Sequence, residues 1–434
     1  MTAFVIDAMA MVKMIKVVGV TTFGALADKY WEAFTKALNQ NDCNRIDIVF
    51  DRYEKKDSIK EQTRLKRGSS SSLEIKIAGE NTPIPTRWNK FMSNPVNKAN
   101  LTNFLCERWT NTCTATLPPD KLVVLAGGFC DPLRVVRLTL GHSECLDELH
   151  SDHEEADTRM MLHAFHASQY HDRVVIQSPH TDVAVLSDYF FSSMHCPELW
   201  FRTGTKDKLR YLPIHTIANH LGPSMCAALP GFHALTGCDS TSAFSGIGKK
   251  KGFNLLKASD EHQQCLSLLG ENLNLSSLCQ ASCEKLVCAL YFKNGYSTAD
   301  DTRYFLFRQK QKQNENLPPT SNSLGHHIER ANFQAYIWKK SLCAIQNLPS
   351  PAGHGWELVS GILKPLLISK APAPTAILEL ISCKCKKSAW RRNDLCRCKA
   401  NGLICTEACF CMADEQCENI QTQVYSTDDS DTDE

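Results

Sequence analysis

The segment AFVID, residues 3–7, is a short apolar run that ends on an acidic residue, and IDIVFD, residues 46–51, repeats the same arrangement. Two further apolar and β-branched runs follow at Leu122–Leu125 and Val174–Ile176. Between these runs lie segments in which apolar residues recur with helical spacing, such as Ala156–Ala167. Continuous apolar strands that alternate with helices are typical of a parallel sheet covered on both faces. The sequence therefore predicts an α/β fold built on a parallel sheet flanked by helices.

The length and composition narrow the class of protein. A chain of 434 residues suggests two or three domains, and a net charge of +1 gives no indication of a partner. No run of eighteen apolar residues occurs, so we expect no membrane-spanning helix. Eight of the 21 cysteines lie between Cys383 and Cys417, and the other thirteen are scattered singly, which is typical of a reducing compartment.

Acidic residues fall at the ends of the predicted strands and at the start of one helix. Asp7 and Asp51 end the first two strands, Asp182 follows the strand VVIQS, and a helix opens with HEEAD at residues 153–157. Sites in open parallel sheets form outside the carboxyl ends of the strands, so we expect these acids to meet in one cleft. The candidate catalytic residues at this point are Asp7, Asp51, Glu154, Glu155, Asp157 and Asp182.

Several carboxylates in one cleft repel each other unless divalent cations neutralise them. Carboxylates without thiolates favour Mg²⁺ or Mn²⁺ over zinc. Two such ions about 4 Å apart activate water and stabilise the leaving oxygen in phosphodiester hydrolysis. Each acid taken singly is explained equally well as a strand-end or helix-cap residue, so the joint pattern favours a metal-dependent hydrolase.

A third element, GFHALTGCDSTSAFSGIGKKKGFNLL at residues 231–256, combines an acid with a basic turn. Asp239 follows Gly237 and Cys238 and joins the candidate catalytic residues. A Gly-Ile-Gly turn then leads into Lys249, Lys250 and Lys251. A glycine turn that opens a helix exposes backbone N–H groups, and the lysines add charge, so this segment is predicted to grip a DNA phosphate. The alternative is a solvated lysine run after a tight turn.

The C-terminal part of the chain contains a dense group of thiols. The predicted zinc ligands are Cys383, Cys385, Cys396, Cys398, Cys405, Cys409, Cys411 and Cys417. So few apolar residues lie among them that metal binding must supply the folding free energy, although a disulfide knot is the alternative. The cations between them indicate DNA as the partner, and those predicted to bind it are Lys386, Lys387, Arg391 and Arg392.

Residues 1–260 resemble the flap-endonuclease-like branch of the PIN nuclease superfamily. The matching motifs are VIDAMAM with Asp7, IVFDRY with Asp51, EEAD with Glu155 and Asp157, SPHTD with Asp182, and GCD with Asp239. The resemblance implies a PIN-like parallel sheet and a structure-directed DNA nuclease that uses Mg²⁺ or Mn²⁺. The basic residues standing where that family places cations facing the scissile phosphate are Lys60, Arg64, Lys66 and Arg67.

The motifs depart from the family pattern at two places. His180 stands where the family begins its Asp-x-Asp loop with an acid, and imidazole suits Mg²⁺ poorly. The helix start reads Glu-Glu-Ala-Asp, which leaves the ligand pair open between Glu154, Glu155 and Asp157. Two functions of different class therefore remain: an active nuclease, and a catalytically inactive nuclease-like scaffold that acts as a DNA-binding or chromatin protein.

Residues 383–419 resemble the cysteine-rich CXC domain of the tesmin/TSO1 type, a zinc-dependent DNA-binding module. They depart from that family at Trp390, where a further cysteine is usual. With GHGWELVSGILKP before the module, the chain is similar to uncharacterised animal proteins associated with mobile elements, which implies a nuclear location. We expect four parts: a PIN-like domain (1–305), a linker with a helical segment (306–382), the zinc module (383–419) and an acidic disordered tail (420–434).

Overall fold

The computed structural model describes residues 1–53, 59, 73–292, 296–308, 316–371, 398, 405 and 409. The chain forms two compact units, Met1–Leu366 and Leu367–Glu434. Within the described residues, no helix is both long and apolar enough to cross a membrane.

A mixed sheet of eight strands forms the centre of the first unit. Its strands are β1 (Thr2–Asp7), β2 (Cys43–Val49), β3 (Leu122–Ala126), β4 (Val135–Thr139), β5 (His142–Cys145), β6 (Arg173–Gln177), β7 (Glu198–Thr203) and β8 (Arg210–Pro213). They lie in the order β5-β4-β3-β2-β1-β6-β7-β8. The five central strands, β3, β2, β1, β6 and β7, are parallel. At the edges, β4 pairs antiparallel with β3, β5 with β4, and β8 with β7. The predicted α/β fold with a mostly parallel sheet is confirmed.

Helices flank this sheet. They are α1 (Ala8–Met14), α2 (Phe23–Thr35), α3 (Trp88–Ser93), α4 (Pro95–Thr112), α5 (Ala156–Ser168), α6 (Thr181–Phe190), α7 (Ile214–Leu221), α8 (Pro223–Thr236), α9 (Lys249–Lys257), α10 (Asp260–Ser267), α11 (Ser277–Tyr291), α12 (Ala299–Arg308) and α13 (Ser321–Lys339). A hairpin of β9 (Trp356–Val359) and β10 (Ile362–Pro365) follows the last of these helices.

Alternate side chains of β1 pack against opposite helical layers. Phe4 belongs to a core that includes Trp109 of α4, whereas Val5 belongs to a second core that includes Met160 of α5. Because successive strand side chains point to opposite faces, a strand covered on both faces is apolar at every position. Burial of each large apolar side chain contributes about 1.5–3 kcal/mol, which explains why AFVI is a continuous apolar run.

The strand order creates a crevice between β1 and β6. From β1 the chain adds β2 and β3 on one side, and it later adds β6 and β7 on the other. In open α/β sheets, ligands bind at such a reversal, outside the carboxyl ends of the strands. Asp7 ends β1, and Ser178 follows β6 directly, so both residues border this crevice.

A buried ion network fastens β2 to α5. Asp47, which is fully buried, accepts two hydrogen bonds from Arg45, at 2.7 Å and 2.8 Å, and one from Nδ1 of His163, at 2.6 Å. Burial alone would raise the pKa of the Asp47 carboxyl, but Arg45 and His163 hold it well below its usual range. Removing one partner of such a network costs about 3–5 kcal/mol, so the register of α5 on the sheet is strongly specified.

The helices that follow the sheet extend the first unit to Leu366. In α13, Oδ1 of the buried Asn332 accepts a hydrogen bond from the backbone N–H of Gly270 at 2.7 Å. The hairpin β9–β10 packs Trp356 against Phe333 of the same helix. These contacts attach the last elements to the helical layer, while the domain boundaries drawn from the sequence stay predictions.

A buried arginine supports the carboxyl ends of β2 and β3. Arg159 of α5 is buried, donates from Nη1 to the carbonyl oxygen of Phe50 at 2.7 Å, and donates from Nε to Ser151 at 3.2 Å. Its Nη2 donates to the carbonyl oxygen of His153. Gly127, directly after β3, has a φ of +79°, and a Cβ there would meet the Arg159 guanidinium and the Phe50 carbonyl group. Glycine is therefore required beside this arginine.

We expect Gly127→Ala to lower the free energy of unfolding by about 2–5 kcal/mol, because it adds a steric clash to a positive φ. The matched control is Gly141→Ala, since Gly141 has a φ of +71° and no atom lies within 4 Å of the added Cβ. That control should lose only about 1 kcal/mol, the cost of the backbone conformation. Equal losses for the two variants in urea unfolding would show that Gly127 does not make room for Arg159.

Candidate active site at the carboxyl edge of the sheet

Asp7 lies at the centre of the crevice between β1 and β6. It caps α1, because its Oδ1 accepts a hydrogen bond from the backbone N–H of Ala10 at 2.9 Å. Its Oδ2 accepts a hydrogen bond from the hydroxyl of Ser178 at 3.1 Å, and the residue is 4% exposed. The end of a strand and the start of a helix thus hold one buried carboxylate with its Oδ2 turned toward β6.

A second carboxylate makes the charge of Asp7 unfavourable. Burial and the neighbouring Asp51 raise the pKa of Asp7, whereas Ala10, His180 and Ser178 lower it by smaller amounts. Burial disfavours a charged carboxyl, and a like charge nearby disfavours it further. A bound cation would reverse both effects, so this pair has the chemistry of a site for a hard divalent ion.

Asp51 joins β2 to the first turn of α5. Its Oδ1 accepts a hydrogen bond from the backbone N–H of Ala156 at 2.8 Å, and the hydroxyl of Tyr53 donates to its Oδ2 at 3.4 Å. The backbone N–H of Arg52 donates to the carbonyl oxygen of Glu154 at 2.9 Å. The structure therefore brings the strand end together with the helix start that carries Glu154, Glu155 and Asp157, of which the last two are buried.

His180 occupies the position beside Asp7 that the motif comparison assigned to an acid. Its Nε2 lies 3.7 Å from Oδ2 of Asp7, and its side chain is 50% exposed. Its backbone N–H donates to the hydroxyl of Ser178 at 3.2 Å, which fixes the turn into α6. An imidazole here faces the buried carboxylate from the solvent side.

Asp182 is the first member of a chain of three polar groups. Nε2 of His233 lies 2.8 Å from its Oδ1, and the ammonium of Lys249 lies 2.9 Å from Nδ1 of the same imidazole. Because an ammonium group can only donate, Nδ1 must accept and Nε2–H must donate to Asp182. Burial lowers the pKa of the Lys249 ammonium, and Cys238 and Asp182 raise it by smaller amounts.

Asp239, Lys250 and Lys251 lie at the surface of the protein. Asp239 is exposed in the loop that follows α8, and Lys249 joins that region to Asp182 through His233. Lys250 and Lys251 are exposed in the first turn of α9, whose N-cap residue is Gly248. The basic turn thus directs one lysine to the acids and two to solvent.

A groove of about 250 Å³ lies beside Asp7. Asp7, Ser178, Arg202 and residues 203–205 contribute to its lining. Nη1 of Arg202 donates to Oε1 of Gln177 at 2.8 Å, which holds the guanidinium at the end of β7. An anionic group in this groove would therefore have the Arg202 guanidinium and the Asp7 carboxylate beside it.

The acids that the structure describes at this edge are spread out and do not form a compact set of three ligands. Within the part of the chain that the structure describes, no three carboxylate or imidazole ligand atoms lie within 4.8 Å of one another, whereas two groups of three thiols do. One of these groups is Cys398, Cys405 and Cys409, all buried, with Sγ of Cys398 3.5 Å from Sγ of Cys409. Three of the eight predicted zinc ligands are thus close together in the second unit.

Several predicted site residues lie outside the described residues. The predicted zinc ligands among them are Cys383, Cys385, Cys396, Cys411 and Cys417. The predicted DNA-binding residues among them are Lys60, Arg64, Lys66, Arg67, Lys386, Lys387, Arg391 and Arg392.

Three residues of the site were missed from the sequence. Ser178, Arg159 and His233 lie in segments that were quoted for their acids, but none of them was selected. Ser178 had a signal, because it is the last residue of the predicted strand VVIQS. His233 had no signal in the sequence, since its partner is Asp182, which lies 51 positions earlier in the chain.

Comparisons with known proteins identify no family. No family model and no curated protein matches the chain. One similar solved structure is the T5 D15 protein co-crystallized with metal ions, which is 12% identical over 79% of this chain and 92% of that one, with a TM-score of 0.36. Another is the bacteriophage T5 D15 flap endonuclease in a pseudo-enzyme-product complex with DNA and metal ions, which is 12% identical over 79% of this chain and 97% of that one, with a TM-score of 0.35. Identities and TM-scores this low assign no function to this chain.

The raised pKa of Asp7 predicts how pH and metal ions affect stability. The folded chain holds the Asp7 proton more tightly than the unfolded chain, so stability falls as pH rises from the ordinary pKa through the folded one. Without metal at neutral pH, Asp7→Asn should therefore be at least as stable as the wild type, because asparagine also caps helices. Mn²⁺ at about 100 times its Kd should stabilise the wild type by about 2.7 kcal/mol, and Asp7→Asn should lose this gain.

The matched control for this measurement is Asp120→Asn. Asp120 is exposed just before β3, at the opposite edge of the sheet, and its φ of +60° is one that asparagine tolerates. The unfolding temperatures of the wild type, Asp7→Asn and Asp120→Asn are measured with and without Mn²⁺. A Mn²⁺ effect that survives in Asp7→Asn would remove Asp7 from the ion site.

Proposed function

We propose that this protein is a DNA endonuclease that depends on Mg²⁺ or Mn²⁺ and cleaves phosphodiester bonds at the carboxyl edge of its sheet. The pairing of Asp7 with Asp51 beside the β1–β6 crevice supports this most directly, because burial and Asp51 together raise the pKa of Asp7. Two acids in this relation are unfavourable without a cation and well suited to hold one. The resemblance of residues 1–260 to flap-endonuclease-like PIN nucleases agrees with this chemistry.

The residues of the edge divide into ion ligands and groups that orient them. Asp7 and Asp51 would hold the ion, since each has one oxygen fixed by a backbone N–H group, of Ala10 and Ala156 respectively. When bound, the ion supplies activation of water and stabilisation of the leaving oxygen. His233 orients Asp182 and connects it to Lys249.

The DNA strand would reach this edge along the cations that face solvent. Lys250 and Lys251 at the start of α9 would contact one phosphate, and Arg202 in the groove beside Asp7 would contact another. Zinc held by the C-terminal cysteines would fold a second DNA-binding module that tethers the enzyme to its substrate, in keeping with a nuclear location. The close approach of Cys398, Cys405 and Cys409 supports a metal in that module.

A catalytically inactive, DNA-binding scaffold is the second candidate function, and His180 is the observation that favours it. Its imidazole lies 3.7 Å from Asp7, where an acid would complete a ligand set. Imidazole suits Mn²⁺ better than Mg²⁺, so loss of the acid weakens the site for the more abundant hard ion. In that case the DNA-binding surfaces would be retained and hydrolysis would be lost.

We expect Asp51→Asn to reduce Mn²⁺-dependent cleavage of a flapped or branched DNA duplex by about 10²–10³-fold, because a bound ion contributes several kcal/mol to transition-state stabilisation. Asparagine keeps an acceptor oxygen for the Ala156 N–H group, so the fold should be preserved. Gel assays with Mg²⁺, Mn²⁺ or EDTA measure the rate, and Asp120→Asn is the control. Unchanged cleavage by Asp51→Asn would exclude this acid from the reaction.

His180→Asp distinguishes the two functions. An aspartate beside Asp7 would add the missing ligand, so the rate with Mg²⁺ should rise about tenfold, which corresponds to about 1.4 kcal/mol. His180→Asn is the control, because it removes the imidazole without adding charge, and it should not rise. If neither variant nor the wild type cleaves DNA with either ion while DNA binding persists, the scaffold function is supported.

A further inference from the structure

A second group of three thiols lies inside the first unit, among cysteines that the sequence presents as single residues. It consists of Cys265 on α10 and Cys279 and Cys283 on α11, and all three are buried. Their Sγ atoms lie within 4.8 Å of one another, and those of Cys265 and Cys283 are 3.5 Å apart. This cluster is remote in sequence from the C-terminal module.

The spacing of these sulfur atoms fits a tetrahedral metal better than a disulfide. Zn–S bonds of about 2.3 Å in a tetrahedron place sulfur atoms about 3.8 Å apart. A disulfide requires a separation of about 2.05 Å. Cys398 and Cys409, in the segment predicted to bind zinc, show the same Sγ–Sγ distance of 3.5 Å. The two clusters therefore share the geometry of thiolate ligands around one ion.

The helices present these ligands in a pattern suited to one metal. Cys279 and Cys283 are four residues apart on α11, and side chains with that spacing lie on the same helix face. Cys265 approaches the same point from α10. Zinc sites in proteins are four-coordinate, so three cysteines supply three of the four positions.

We infer that Cys265, Cys279 and Cys283 form a thiolate zinc site that fastens α10 to α11, with the fourth position open to water. The site would form whether or not the protein is a nuclease. It also bears on the basic turn, because Nε2 of Gln263 on α10 donates to the carbonyl oxygen of Leu256 at 3.2 Å, near the end of α9. A metal between α10 and α11 would thus brace the helix that carries Lys249, Lys250 and Lys251.

The metal content of the purified full-length chain tests the site. Cys265→Ala, Cys279→Ala and Cys283→Ala should each contain one zinc ion fewer per chain than the wild type. The matched control is Cys288→Ala, a buried cysteine on α11 outside the cluster, which should keep the wild-type content. Equal zinc in the wild type and the three cysteine variants would overturn the site.

Alkylation of the wild-type chain tests the zinc site even if the variants fold poorly. With zinc bound, Cys265, Cys279 and Cys283 should resist iodoacetamide, and EDTA should increase their labelling at least tenfold, as mapped by mass spectrometry. Cys106, buried on the opposite face of the sheet, is the internal control and should not respond. Labelling that ignores EDTA would overturn the zinc site, as would labelling that requires a reductant, which would show a disulfide.

Discussion

The buried charge of Asp7, with the Asp51 carboxylate near it, is the constraint on which the carboxyl edge of the sheet depends. The two acids end or follow adjacent parallel strands, so strand pairing alone brings them to the same edge. Backbone N–H groups of Ala10 and Ala156 satisfy one oxygen of each, yet burial and the neighbouring charge still raise the pKa of Asp7. The folded chain therefore carries an unfavourable charge pair, and a divalent cation is the simplest group that would relieve it.

Groups that do not face the crevice hold this pair in place. Arg159 lies beneath the edge and donates to Phe50, the residue before Asp51. The Arg45–Asp47 pair anchors α5 lower on the same strand. Each of these buried cations has its partners arranged by the fold, which is the condition under which a buried charge is tolerated. The stabilising hydrogen bonds and ion pairs thus lie behind a site whose own charges are unfavourable.

The protein also places basic side chains beside the acids. His180 lies 3.7 Å from Asp7, and the Lys249 ammonium reaches Asp182 through His233. Positive charge next to a carboxylate offsets part of the repulsion that a metal would otherwise relieve. The proposed ion would therefore compete with these side chains, and the choice between the two proposed functions would depend on that competition.

The sequence by itself determined the parallel sheet and the placement of Asp7 and Asp51, because apolar continuity and an acid after a strand are local properties. It also singled out the C-terminal cysteines by their density. Only the tertiary structure decided that His233 meets Asp182 across 51 positions and that Cys265 meets Cys283 across 18. Helical spacing predicts which face of a helix a residue occupies, but packing determines which neighbour that face contacts.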